Sequence, residues 1–129
     1  MDIPGFDIIT ANIGDAKHPS LTIGANLVAS VAAQCGKKRI LAESFALAPF
    51  NYGYGGMKRT SDWLFASGIN MIVPHGFHYG YNAYQRGDAG KSFFFQDPQF
   101  SEYVKFSEYA GRVCKLLSEY ERNNDILIV

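Results

Sequence analysis

Cysteine, net charge and long apolar runs are all scarce in this 129-residue sequence. Its two cysteines, Cys35 and Cys114, lie 79 positions apart. That is too few for a disulfide framework or a cysteine-built metal cluster. Both fall where helices are expected, so both are expected as reduced, buried thiols. Twelve basic and twelve acidic side chains cancel. Without a basic stripe to attract phosphates, nucleic acid is not an expected partner. No segment reaches the roughly 20 apolar residues of a membrane span, so a membrane partner is not expected either. The first residues lack the basic stretch and apolar run of a secretory signal. The motifs G-x-G-x-x-G and H-E-x-x-H are absent. That removes the glycine-rich phosphate cradle and the helical zinc-protease motif. Neither a cofactor nor a metal is expected.

Aromatic residues are plentiful. They make up 15% of the chain, and eight of them are tyrosines. Many sit in polar, glycine-rich stretches between the periodic segments, where a ligand surface would place them. The length suits one domain with one modest core. Met1-Asp2-Ile3-Pro4 runs almost at once into an apolar stretch, and Asp125-Ile126-Leu127-Ile128-Val129 forms another at the other end. A piece of a longer polypeptide is expected, with 1–122 as one unit and 123–129 opening a following domain or linker strand.

The periodic segments alternate in type. Phe6 to Thr10 is a short apolar run suited to a buried parallel strand. After the loop Ala11 to Pro19, Ser20 can cap a helix whose face is Leu21, Ala25, Val28, Ala32 and Cys35. Gly36 stops it where a left-handed cap is wanted. A strand follows at Arg39 to Phe45, then a loop from Ala46 to Gly56. A second helix spans Met57 to Ser67 and ends at Gly68. Ile69 to Pro74 is the third strand, with Pro74 at its end, where a missing amide is tolerated. A long loop, His75 to Pro98, precedes a helix over Phe100 to Tyr120. Strand starts recur about every thirty residues. Repeated βα units imply a parallel sheet with helices outside it. Two architectures fit: an open doubly wound sheet, or part of a (β/α)8 barrel. The helix-to-strand turns are very short, and the strand-to-helix loops grow from nine to eleven to twenty-four residues. The elaboration therefore lies at the carboxyl ends of the strands, where both architectures bind ligands.

Glu43 stands out at that end. It follows Arg39-Ile40-Leu41-Ala42 without a turn residue, so the strand should deliver its carboxylate to the mouth. A pairing with Arg39 or Lys58 is the structural alternative. His75 and His78 follow the third strand, suited to hydrogen bonding a polar ligand or Glu43 on the adjacent strand. The aromatics form two groups: Phe45, Phe50, Tyr52 and Tyr54, then Phe77, Tyr79, Tyr81 and Tyr84. Such rings stack on the C–H faces of sugars, and tyrosine adds a hydroxyl. Most of them are expected to pack loops against the rim, and Phe93-Phe94-Phe95 to anchor a loop. Asp7, within an apolar strand, needs a partner. Asp15 and His18 read as surface groups, and Asp62, beside Trp63 in mid-helix, as structural.

Four segments then carry a family resemblance. They are Ala29-Ser30-Val31-Ala32-x-Gln34-x-Gly36, Arg39 to Phe45, Met57-Lys58-x-x-x-Asp62-Trp63-x-x-x-x-Gly68-Ile69-Asn70, and Pro74-His75-x-x-x-Tyr79. In this order, continued by Ser92 to Gln96 and the final helix, the chain resembles large bacterial glycoside hydrolases of the α-L-rhamnosidase-like and β-glycosidase-like (β/α)8-barrel type. The resemblance implies the last three βα units of a TIM barrel, the remainder of that barrel as a partner, and a carbohydrate substrate. It implies that Glu43 follows the seventh strand, as nucleophile in a retaining enzyme or base in an inverting one. His75, His78, Tyr79, Tyr52, Tyr54 and Asp7 would then line the sugar site. The partner acid of such enzymes usually follows the fourth strand, so these 129 residues alone should be catalytically incomplete. Where relatives often carry Gly-Trp-Asp, this chain has Asn51-Tyr52-Gly53-Tyr54-Gly55-Gly56. The alternative is a carbohydrate-binding or interaction module that keeps the aromatic mouth without the chemistry.

Overall fold

The computed structural model describes residues 2–8, 13–14, 23–80 and 90–120. Three strands lie side by side: β1, Gly5–Ile8; β2, Leu41–Ser44; and β3, Met71–Pro74. All pair in parallel, with Gly5 opposite Leu41 and Leu41 opposite Met71. The helices α1, Gly24–Gln34, and α2, Tyr54–Ala66, connect them, and α3, Phe100–Glu119, follows β3. This is a mixed α/β arrangement of three consecutive βα units.

Strand alternation sorts the sheet into two faces. Phe6, Ala42 and Ile72 point toward the helices, where they pack with Ala25, Ala29, Ala32 and Leu64. Small residues on both sides of that contact let α1 lie close to the sheet. Ile72 also joins a second cluster, where Phe65 of α2 meets Phe106 and Ala110 of α3. All three helices therefore sit on one side. The other face carries Gly5, Asp7, Leu41, Glu43, Met71 and Val73, and no described helix packs on it.

The two helix ends follow one design. Gly36 has φ 63° and Gly68 has φ 99°, the left-handed region that glycine enters at little cost. Gly36 N donates to Ala33 O and Lys37 N to Ala32 O; Gly68 N donates to Phe65 O and Ile69 N to Leu64 O. Each pair of bonds is a Schellman motif, which satisfies carbonyls that the helix end would leave open. In the second, Leu64 and Ile69 are both fully buried and complete the hydrophobic contact of the motif. Asn70 then ties the strand entries together. Its side chain accepts from Ile40 N at 2.8 Å and donates to Lys38 O at 2.7 Å, while its own N donates to Ile40 O at 3.1 Å.

Several boundaries differ from the sequence expectation. β2 and β3 are shorter than Arg39–Phe45 and Ile69–Pro74, and β1 begins at Gly5; Ile9 and Thr10 lie outside the described residues. Helix α2 begins at Tyr54, three residues before the expected Met57, despite two glycines of poor helix propensity. Tertiary contact decides this. The Tyr54 ring packs on Tyr103 and Phe106, and a Cβ on Gly56 would stand 2.5 Å from the Tyr52 ring. The expectation of a buried Cys35 is corrected. It caps α1 one residue beyond the last helical position, so it leaves the core face and is exposed. Cys114 on α3 is partly buried, and that burial pushes its thiol pKa up. The expected cap at Ser20 is corrected: α1 begins at Gly24, with Ile23 in the cap position and no side-chain capping bond. Leu21, Asp15, His18, Tyr81, Tyr84 and the strand at 125–129 lie outside the described residues.

Candidate functional site

Glu43 is the third residue of the central strand and points to the helix-free face. In the register it stands between Asp7 of β1 and Val73 of β3. Register partners on adjacent parallel strands point the same way, about 4.8 Å apart. Asp7 and Glu43 are therefore neighbours on the same face of the sheet. Two residues beyond Glu43 the chain turns away through Phe45, whose φ of 74° is unusual for a bulky residue. The Phe45 ring is wholly buried, with Phe93 at 6.1 Å and Phe106 at 6.0 Å, and this packing holds the turn. Glu43 is thereby left at the carboxyl rim of the sheet.

His75 reaches the same rim from β3. Its backbone N donates to Ser44 O at 2.8 Å, extending the β2–β3 ladder by one step. Its Nε2 lies 3.8 Å from Glu43 Oε1, an ion-pair distance when the imidazole is protonated. The irregular segment that follows is held by residues further along. Phe93 N donates to Gly76 O at 3.0 Å, and His78 N donates to Ser92 Oγ at 3.2 Å. Gln96 Nε2 donates to His78 O at 2.9 Å and to Tyr79 O at 3.2 Å. The Tyr79 side chain stands almost free, with the residue 89% exposed.

Tyr52 and Tyr54 turn elsewhere. The Tyr52 hydroxyl shares a 2.7 Å hydrogen bond with Thr60 Oγ1, and its ring packs on Phe45. Tyr54 lies against Tyr103 and Phe106, and burial pushes its phenol up to about 12. Burial raises Tyr52 as well, against the lowering effect of its bond to Thr60. Both rings belong to an aromatic seam that runs through Phe106 and Tyr103 to Phe77, Phe94 and Phe100. Thus the structure brings Glu43, His75 and Asp7 to one rim and sets His78 and Tyr79 beyond His75. It leaves Tyr52 and Tyr54 in the packing between loop and helix.

Four polar residues had no functional reading in the sequence. Ser92 and Gln96 hold the 76–79 backbone. Lys91 and Asp97 form a buried ion pair at 2.8 Å, and Lys91 also donates to Tyr52 O at 3.2 Å. None belongs to a periodic segment, so no face analysis could group them. The only signal was the resemblance of Ser92 to Gln96. Among the described residues, no three of His, Cys, Asp and Glu gather as metal ligands, and no helix is long and apolar enough to cross a membrane.

A carboxylate and an imidazole 3.8 Å apart at the carboxyl rim of a parallel sheet are groups of the kind used in acid–base or nucleophilic chemistry on a polar ligand. The chain is similar to a rhamnosidase from Novosphingobium sp. PP1Y, with 25% identity and a TM-score of 0.71. The match covers 91% of this chain and 12% of that one, so this chain spans about an eighth of the rhamnosidase's length. No protein-family model matches the sequence, and no curated protein does. The likeness supports a glycoside hydrolase-like relationship.

Proposed function

We propose that this chain is the carboxy-terminal part of a (β/α)8 catalytic barrel in a glycoside hydrolase, and that Glu43 is one of the carboxylates that cleave the glycosidic bond. The observation that carries the reading is the placement of Glu43. It stands on the central strand, on the face free of helices, with His75 at 3.8 Å and Asp7 as its register neighbour. The likeness to a rhamnosidase supports the substrate class. In this reading the helix-free face is the barrel interior, and the missing strands bring the second acid. Glu43 attacks as nucleophile or activates water as base, His75 orients its carboxylate, and His78 and Tyr79 border the sugar.

The test is the Glu43→Gln variant of the longer polypeptide that carries this sequence, assayed on an aryl L-rhamnoside. Loss of one of the two essential carboxylates lowers turnover about a thousandfold or more. Turnover at the wild-type rate removes Glu43 from the chemistry. Exposed Tyr79 and Phe50 favour a second reading, a sugar-binding module without catalysis. That reading is preferred if calorimetry detects sugar binding and the longer polypeptide hydrolyses no glycoside.

A further inference from the structure

We propose that Gln96, backed by Ser92, is a positioning residue that locks the His78–Tyr79 segment at the rim of the site; what this segment touches rests on the carbohydrate reading above. Residues 76–79 follow β3 but form no helix or ladder, so their backbone groups have no regular partners. Backbone polar groups must be satisfied somewhere, and in a surface loop water ordinarily does it. Here protein groups do. The Gln96 amide donates to two successive carbonyls, His78 O and Tyr79 O. Ser92 Oγ accepts from His78 N and from Phe94 N, and itself donates to Gln96 Oε1 at 3.3 Å. Phe93 N closes the set on Gly76 O.

The latch stands on a rigid base. Ser92 and Phe93 are buried, and the Phe93 ring packs on Phe45, two residues beyond Glu43. Lys91 and Asp97 bracket the latch with their buried ion pair. The two ends of the connection therefore share one support with the catalytic strand. The Tyr79 ring takes no part in that support. A ring so exposed, on a backbone held at both of its neighbouring carbonyls, is a preorganised contact surface, not a packing element. The chemistry it fits is the C–H face of a pyranose, with His78 beside it as a hydrogen-bonding group. Gln96 touches no substrate in this scheme and acts only through the backbone it holds.

The experiment compares the longer polypeptide that carries this sequence with its Gln96→Leu and Gln96→Glu variants by amide hydrogen exchange and by L-rhamnose titration followed by calorimetry. Gln96→Glu is isosteric and opens no cavity, so it decides the matter if the leucine variant does not fold. The His78 amide is expected to exchange about tenfold faster in the variants, while the Phe106 amide in the core of α3 is unchanged. Rhamnose affinity is expected to fall about tenfold in parallel. Unchanged His78 exchange overturns the latch. Faster exchange with unaltered rhamnose affinity overturns its role in positioning. If the wild-type longer polypeptide binds no rhamnose, the carbohydrate reading fails, and the latch stands or falls on the exchange rates alone.

Discussion

At the scale of single residues, position on a strand was legible and polar partnership was not. Glu43 could be placed at a strand end because Arg39-Ile40-Leu41-Ala42 lead into it without a turn residue. Its register beside Asp7 could not be read, because register depends on pairing across a crossover of more than thirty residues. Lys91 and Asp97 were equally hidden. Six residues apart in an irregular stretch, they look like any two solvated charges, yet their side chains are only 9% and 3% exposed. An ion pair this buried is costly to break from one side. Lys91→Met leaves the Asp97 carboxylate buried without its cation, the Gln99 backbone N still donating to its Oδ1 at 3.0 Å. The expected loss is about 3 kcal/mol of unfolding free energy. Urea unfolding measures it, and the Lys91→Met/Asp97→Leu double variant should recover much of the loss. If the single variant unfolds at the wild-type midpoint, the pair does not stabilise the fold.

At the scale of elements, helical periodicity and the glycine stops gave the helices with little ambiguity. Gly36 and Gly68 sit where a left-handed cap was expected, and the structure adds the paired hydrogen bonds that make each a Schellman motif. The early start of α2 was hidden because contacts with α3 outweigh the poor propensity of Gly55 and Gly56. Those two helices also share a polar seam. Lys58 Nζ donates to Asp62 Oδ2 at 2.6 Å and lies 4.7 Å above the Tyr109 ring, while the Tyr109 hydroxyl donates to Asp62 Oδ1. Burial pushes the Asp62 carboxyl up, but its bonds to Lys58 and Tyr109 together outweigh this and hold it below its usual 3.8. A lowered carboxyl stabilises the folded state when ionised. That contribution is full well above pH 3.8 and is lost as the pH falls through and below that value. Asp62→Asn should therefore melt below the wild type at neutral pH, and the gap should close in acid. Melting curves of both proteins across that range isolate the effect, since every other carboxylate cancels in the difference. A gap independent of pH would show that packing, not charge, joins α2 to α3.

At the scale of the whole molecule, the order of βα units was legible from periodicity, and the open face of the sheet only through the resemblance to part of a barrel. A sequence reveals which residues alternate, but not whether a second layer exists to cover them. Here Leu41, Met71 and Val73 share the helix-free face with Glu43 and Asp7, and each of them is only partly buried. Among the described residues, β1 and β3 each pair on one side only. Unpaired strand edges and an open apolar face both drive association. The outward side of α1 adds Ile23, Leu27 and Val31, which follow one another at helical spacing and are all exposed. The isolated 129-residue chain should therefore self-associate at micromolar concentration, whereas a polypeptide that supplies the preceding strands should not. Sedimentation velocity of the two at matched concentration makes the comparison. Leu27→Glu separates the two apolar surfaces, because it removes the helix stripe and leaves the sheet face intact. If that variant still associates, the sheet is the sticky surface, as the barrel reading requires. A monomeric isolated chain with a single cooperative melt would mean that three βα units complete their own fold, and the case for a missing barrel partner would fall with it.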